Sequence, residues 1–425
     1  MVEAMDWTIR KLGEIAEIRS GGSAPQGDKW FGGDHPFVRV QHVDGLSDWV
    51  TRSDWITDDA VKAHRLKLFP KGTIVLPKSG ASIRLEKRGI LTGDSYLASH
   101  LAAINPLEDM VDSDFLFFTL RSLRLAKEKS DGYPTLNLSE LSEVEIPFPP
   151  LQEQRAIASV LRAVQQAKEA TQKVIDASHQ LKHSMMRHLF AYGAVDPSKM
   201  DYLKLVEAQC GLQPKHWKCI RMGDIVSDGP QNGLYKHLSH YGQGTPIVRI
   251  DDYPNEGGVI KSANHRLTLS DSDRITYSLR TGDLLVNRVN SLSHIGKTAL
   301  VGELEESIVF ESNMMRFAVR RELVSPFFVY LFLNTSEARK ELRGRAKRAV
   351  AQSSINQGDL MSLMVPIPPL DEQNQIVEQI NALVNKVKTE EKHVIALTTL
   401  LQSLLNGLLT EKMRVREFVN NESQS

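Results

Sequence analysis

One motif occurs twice in this chain, and that recurrence constrains the fold more than any other feature. Ile146-Pro147-Phe148-Pro149-Pro150-Leu151-Gln152-Glu153-Gln154 returns, 219 residues later, as Val365-Pro366-Ile367-Pro368-Pro369-Leu370-Asp371-Glu372-Gln373. The match begins upstream of the prolines. Trp7, Gly13, Ile15, Pro36, Val38, Arg39 and Gly72 recur as Trp217, Gly223, Ile225, Pro246, Val248, Arg249 and Gly282, all at an offset of 210. Each motif opens a stretch of about 40 residues that reads as a single helix. The order is globular unit, helix, globular unit, helix, and a repeat this long is a duplicated domain rather than a solenoid.

Length and composition set the frame. The 425 residues suit two to three domains, and 41 % hydrophobic with 24 % charged residues is ordinary for a globular chain. Formal net charge is zero, so binding to a polyanion has to rely on local basic patches. Cys210 and Cys219 read as isolated thiols, neither a disulfide framework nor a zinc site, which fits a reducing cytosol. No apolar run approaches the roughly 20 residues of a bilayer span. With Glu3, Asp6 and Trp7, the N-terminus is not expected to be a signal peptide.

Within the first unit, residues 37–40, 73–76 and 101–104 read as strands punctuated by Gly and Pro clusters, and a helix is predicted over 114–129. The second repeats the order with strands at 247–250, 283–286 and 314–319 and a helix from Pro326. The fold class is α+β: two tandem mixed domains (1–150 and 217–369), with helices over 151–190 and 370–410, a linker at 191–216 and a tail at 411–425. In the second helix Ile376, Ile380, Leu383, Val387, Val394, Leu397, Leu401, Leu404 and Leu408 step by fours and threes, a coiled-coil seam. The first helix gives a weaker seam of Ile157, Val160, Leu161, Val164, Val174, Ile175, Leu181, Met185 and Leu189, interrupted by Lys168, Thr171 and Ser178. Forty residues make roughly 60 Å of helix, poorly stable alone. The simplest partner is the other helix of the same chain, running antiparallel with pseudo-twofold symmetry.

Catalytic signatures are scarce. Gly296-Lys297-Thr298 ends like a phosphate loop, but Ser291 stands where its first glycine is required. His179 and His183 have zinc-compatible spacing and no supporting ligands. Basic clusters are more informative. Lys78, Ser79, Arg84, Lys87 and Arg88 follow one strand; Arg288, Asn290, Ser291, His294 and Lys297 follow its counterpart. Such residues donate to phosphates and base edges. A second cluster precedes each proline motif: Arg121, Arg124, Lys127 and Lys129, then Arg339, Lys340, Arg343, Arg345, Lys347 and Arg348. Any single lysine among them suits a solvated helix face; recurrence at equivalent places favours a polyanion surface. The repeated Arg39 and Arg249, with neighbours Gln41, His42, Asp251 and Asp252, and the repeated Asn137 and Asn356 are further candidates that scaffold or turn roles would also explain. Loops that differ on a shared scaffold fit the reading of two different sequences.

A tandem domain with a Pro-x-Pro-Pro-Leu-x-Glu-Gln opener before each long helix resembles the specificity subunit of type I restriction–modification systems, over nearly the whole chain. The resemblance implies two target recognition domains, each reading half of a bipartite DNA site, with the helices fixing the gap. It implies two methyltransferase subunits using S-adenosylmethionine, restriction/translocase subunits using ATP and Mg2+, and no catalytic residue or cofactor on this chain. Leu151, Glu153, Gln154, Leu370, Glu372 and Gln373 are then candidates for the partner interface, against simple helix capping. Half-sites read from one face of B-DNA lie roughly 34–36 Å apart, which a helix pair of this length accommodates. The rival readings are a coiled-coil scaffold for proteins and an enzyme fused to the repeat; for the latter the chain has no length left.

Overall fold

The computed structural model of the 425-residue chain describes residues 7–45, 47–126, 136–196, 198, 203–348 and 352–410. The tail at 411–425 and the candidates Lys127 and Lys129 lie outside them. The chain divides into two compact units, one gathering Met1–Val174 with Glu390–Ser425, the other Ile175–Thr389.

The first unit is built on a five-stranded sheet of order Ala16–Ser20, Leu101–Pro106, Ile74–Pro77, Gly89–Leu91, Trp49–Val50. A second sheet runs Asp54–Ile56, Phe31–Val38, Ser95–Leu97, Leu68–Phe69. A two-stranded ribbon pairs Thr8–Lys11 with Glu145–Phe148, so the proline motif enters as a strand before it becomes a helix. The central strands are buried on both faces, as their unbroken apolar runs require: Ile74-Val75-Leu76 and Leu101-Ala102-Ala103-Ile104 are at most 3 % exposed. The helix expected over 114–129 is Ser113–Ser122, capped by the Asp112 carboxylate and closed where Leu123 turns extended.

The second unit repeats the five-stranded sheet and the two-stranded ribbon, while its second sheet has three strands in place of four. Its five-stranded order is Val226–Asn232, Met314–Val319, Leu284–Asn287, Thr298–Val301, Gly258–Ile260, and Lys218–Arg221 pairs with Met364–Ile367. Gly72 and Gly282 show why the frame recurs. Each adopts a positive φ (89° and 93°) that L residues avoid, in a turn where its N–H donates to Leu91 or Val301 across the sheet. The second unit also has a three-stranded ribbon of Val289–Asn290, Ser353–Ser354 and Lys347–Arg348. Residues expected as linker form a hairpin, Leu205–Ala208 with Gly211–Pro214. That hairpin corrects the reading of free thiols: Cys210 at its turn and Cys219 on the next strand lie with Cα atoms 6.0 Å apart and form a disulfide.

The long helices run Leu151–Tyr192 and Leu370–Leu408. In the first unit Ile157, Ala158 and Leu161 share a core with Leu401, Leu404 and Leu408. In the second, Met186 and Leu189 share one with Ile376 and Ile380. The early part of each helix meets the late part of the other, so the pair is antiparallel. The second-helix seam is buried or half-buried throughout. The first-helix seam is partly corrected: Val174 and Leu181 are exposed, while Gln165 and Ser178 are buried. Polar residues occupy seam positions in mid-helix, which hides the phase from an apolar count.

Candidate nucleic-acid interface

In each unit the loops that leave the central strands converge on one edge. In the first, the Lys78 N–H donates to the His100 carbonyl (2.9 Å) and its carbonyl accepts from the Leu136 N–H (2.9 Å). Ser79 Oγ lies 2.5 Å from His100 Nδ1. In the second, the Arg288 N–H donates to the Asn313 carbonyl (2.9 Å) and its carbonyl accepts from Ile355 (2.9 Å). Lys78 and Arg288 therefore occupy one scaffold position, and the fold brings His100 and Asn313 beside them. Neither neighbour follows from the sequence motif, because both arrive from the far side of a sheet.

The second unit adds its ribbon here. Val289 and Asn290 pair with Ser354 and Ser353, which pair in turn with Lys347 and Arg348. Two basic clusters far apart in sequence thus become one surface of Arg288, Asn290, Lys347 and Arg348. Ser291 and His294 continue it, with Ser291 Oγ 2.7 Å from His294 Nδ1. The next loop brings Tyr235, 77 % exposed, against the same edge, because the Ser312 N–H donates to the Leu234 carbonyl (2.9 Å). An aromatic ring held in solvent has a face on which a base can stack. Sequence reasoning missed Tyr235; its signal was a lone aromatic between Gly233 and Lys236 in a loop.

The repeated arginines sit on this edge as braced cations. Arg39 pairs with Asp54 (2.7 Å), and its guanidinium lies over the rings of Phe31 and Phe37. Arg249 pairs with Glu311 (3.5 Å) and lies over Tyr241. The residue three further on closes each turn: the Arg39 N–H donates to His42 Nδ1 (3.0 Å), the Arg249 N–H to the Asp252 carboxylate (2.7 Å). Burial pushes the His42 imidazole down in pKa and the Glu311 carboxyl up. Gln41 and Asp251 are exposed beside them, as is Arg84 on its own loop, while Lys87 is half-buried.

Several candidates are corrected. Arg88 is buried, with its guanidinium donating to the Glu86 carbonyl (2.6 Å) and carboxylate (2.6 Å) and to the Leu123 carbonyl (2.8 Å), so it braces the fold and cannot reach DNA. Lys297 is buried too. Its ammonium donates to the Ile250 carbonyl (2.6 Å) and sits 4.1 Å from the Tyr253 ring centre, and burial lowers its pKa. Asn356 is a helix N-cap: its Oδ1 accepts from the Asp359 N–H (2.9 Å) and its own N–H returns to the Asp359 carboxylate (2.8 Å). Asn137 caps its helix likewise, its N–H donating to Glu140 (2.9 Å). Arg339 and Arg343 donate to the carbonyls of Asn255 and Ser293; Arg124 and Lys340 stay exposed.

The motif glutamines are corrected as partner contacts. Gln154 and Gln373 are both 0 % exposed. Gln154 accepts from the Asp112 N–H (2.9 Å) and donates to the Pro149 carbonyl (2.9 Å). Gln373 accepts from the Ser325 N–H (2.8 Å) and donates to the carbonyls of Pro368 (2.9 Å) and Leu323 (3.1 Å). Each ties the root of a long helix to the N-terminus of a domain helix. Glu372 is committed internally, accepting from Trp217 Nε1 (3.1 Å) and lying 2.8 Å from His216 Nε2. Leu151 and Glu153 are half-buried and Leu370 is exposed.

Two copies of one sheet scaffold, each with a basic edge and joined by an antiparallel helix pair, define a duplicated recognition protein. The model of the type I restriction modification DNA specificity domain matches residues 5–177 and again 214–399. The MjaIX specificity subunit of Methanocaldococcus jannaschii is 24 % identical over 436 residues, 97 % of this chain and 94 % of its own. The EcoKI specificity subunit of Escherichia coli is 25 % identical over 390 residues, covering 89 % and 82 %. The fold is shared with the crystal structure of the type I restriction–modification S subunit from M. genitalium, at 16 % identity and a TM-score of 0.58 over 96 % of this chain and 97 % of that one. The chain belongs to the specificity-subunit family of type I restriction–modification systems, and is a DNA-recognition component rather than an enzyme. Among the described residues no helix is long and apolar enough to cross a membrane.

Proposed function

We propose that the two domains read the two halves of an asymmetric, bipartite site in double-stranded DNA, and that the helix pair sets the gap between them. The observation that carries this reading is one scaffold position bearing different chemistry in each unit. Lys78 and Ser79 stand with His100 in the first, Arg288 and Asn290 with Asn313 in the second. Lysine offers a point charge, whereas arginine offers a planar fork suited to guanine O6 and N7. Lys347 and Arg348 add sequence-independent, salt-dependent affinity for phosphates.

Two methyltransferase subunits dock on the long helices, and restriction/translocase subunits join them, in the cytoplasm where the DNA lies. The exposed apolar side chains of those helices, Val174, Leu181 and Ile395, support such docking better than the buried glutamines do. S-adenosylmethionine, ATP and Mg2+ belong to those partners, and this chain supplies orientation.

Methylome sequencing tests this in a host lacking its own systems that expresses the chain with its methyltransferase. The expected result is a gapped, asymmetric methylated motif that disappears when this chain is omitted. Methylation unchanged without the chain would favour a protein scaffold instead.

A further inference from the structure

The first unit holds a buried charged cluster that its duplicate lacks. Arg162, on the first long helix, is 8 % exposed. Its guanidinium takes both carboxylate oxygens of Asp114, with Nε 3.0 Å from Oδ2, and reaches Asp48 through Nη1 (2.9 Å). Arg121 holds the other Asp48 oxygen (2.6 Å). The Arg162 guanidinium also lies 4.9 Å from the Trp49 ring centre and 4.8 Å from that of Phe118. One helix side chain thereby grips a sheet-edge strand and a domain helix at once. A bidentate guanidinium fixes an angle as well as a distance, which a greasy contact does not.

Strand register and the paired glutamines identify the counterparts. Asp48 and Trp49 correspond to Gly258 and Val259, since Trp49 pairs with Ile90 and Val259 with Leu300. Asp112 and Ser325 each donate their N–H to the motif glutamine, which sets Asp114 against Phe327 and Arg121 against Asn334. At the helix offset of 219 Arg162 corresponds to Asn381. All the charged members have changed together, so the cluster is a device of one domain and not a requirement of the fold.

We propose that Arg162 is a positioning residue that locks the angle of the first recognition domain on its helix, and thereby the number of base pairs accepted between the half-sites. This rests on the bipartite reading above. Each added base pair turns a half-site by roughly 35°, because a turn of B-DNA holds about 10.5 base pairs. Tolerance of a wrong gap therefore needs a domain that can rotate on its support, and the clamp forbids it.

The test uses the assembled methyltransferase complex with the full chain. Methylation is measured on duplexes with the native gap, with the gap changed by one base pair, and with one mismatch in either half-site. Arg162→Met is expected to lower the preference for the native gap on the order of tenfold, an equivalent of about 1.4 kcal/mol, while leaving both mismatch preferences unchanged. Arg162→Lys, a point charge without the fork, should restore part of it, and Asn381→Ala should do nothing. An unaltered gap preference in Arg162→Met overturns the proposal, as does a parallel loss of gap and mismatch preference, which would mark Arg162 as a support of the first domain's own fold. If Arg162→Met does not fold, Asp114→Asn, which removes one arm of the clamp, is read by the same criteria. A wild-type complex indifferent to gap length would overturn the bipartite reading itself; one that discriminates while Arg162→Met does so equally overturns this inference alone.

Discussion

Removing Gln373 should destabilise the second unit more than any exposed change in the same motif. Its amide makes three hydrogen bonds, to the Ser325 N–H and to the carbonyls of Leu323 and Pro368, and the side chain is fully buried. Gln373→Ala loses all three and strands their partners. At about 1 kcal/mol net per bond the loss is roughly 3 kcal/mol, before any cavity term. Gln373→Glu should cost at least as much, because the Nε2 donor becomes an acceptor facing two carbonyls. Urea denaturation of the full chain measures the loss. Trp217 reports on the second unit, because it shares the core that holds Ile376. Hydrogen exchange at residues 323–333 should accelerate about a hundredfold, as 1.4 kcal/mol is tenfold. By contrast Leu370→Ala, at a side chain 39 % exposed, should cost far less. A loss below about 1 kcal/mol for Gln373→Ala would refute the argument, and would mean that water replaces the amide.

Two further outcomes follow from the geometry. Arg348→Ala should flatten the dependence of log affinity on log salt by about 0.9 and weaken specific and random DNA alike, as loss of one phosphate contact does; an unchanged slope in filter or anisotropy titrations would take the ribbon out of the interface. For Glu311, burial raises the folded-state pKa above the ordinary glutamate value of about 4.3. Between those two values the folded chain holds a proton that the unfolded chain has lost, so this group's contribution to stability falls as pH rises through that window. Glu311→Gln, which keeps an acceptor for the Ile250 N–H, should therefore gain stability relative to wild type as pH rises from about 4 towards neutrality. Paired urea midpoints across that range check the sign, and a difference independent of pH contradicts it.

The duplication, the α+β class, the two long helices and most of the second helix seam were legible in the sequence, because they are written in periodicity and in residues the backbone requires. Gly72 and Gly282 recur because only glycine takes their turn cheaply; Ile376, Ile380, Leu401, Leu404 and Leu408 recur at coiled-coil spacing because one face must be dry. Which polar residues face solvent was not legible. Arg88 and Arg84 share a loop, yet one is spent on Glu86 and Leu123 and the other is free to reach outward. Gln154 and Gln373 are candidates for the partner interface or for capping on sequence grounds, and only the approach of the Asp112 and Ser325 turns buries them. His100, Asn313, Tyr235 and the Lys347–Arg348 strand join the candidate edge through strand pairing between distant segments. Sequence spacing carries local preference: turn, cap, helical face. The destination of a long polar side chain depends on partners brought in by sheet register, and that register exists only once the chain has folded.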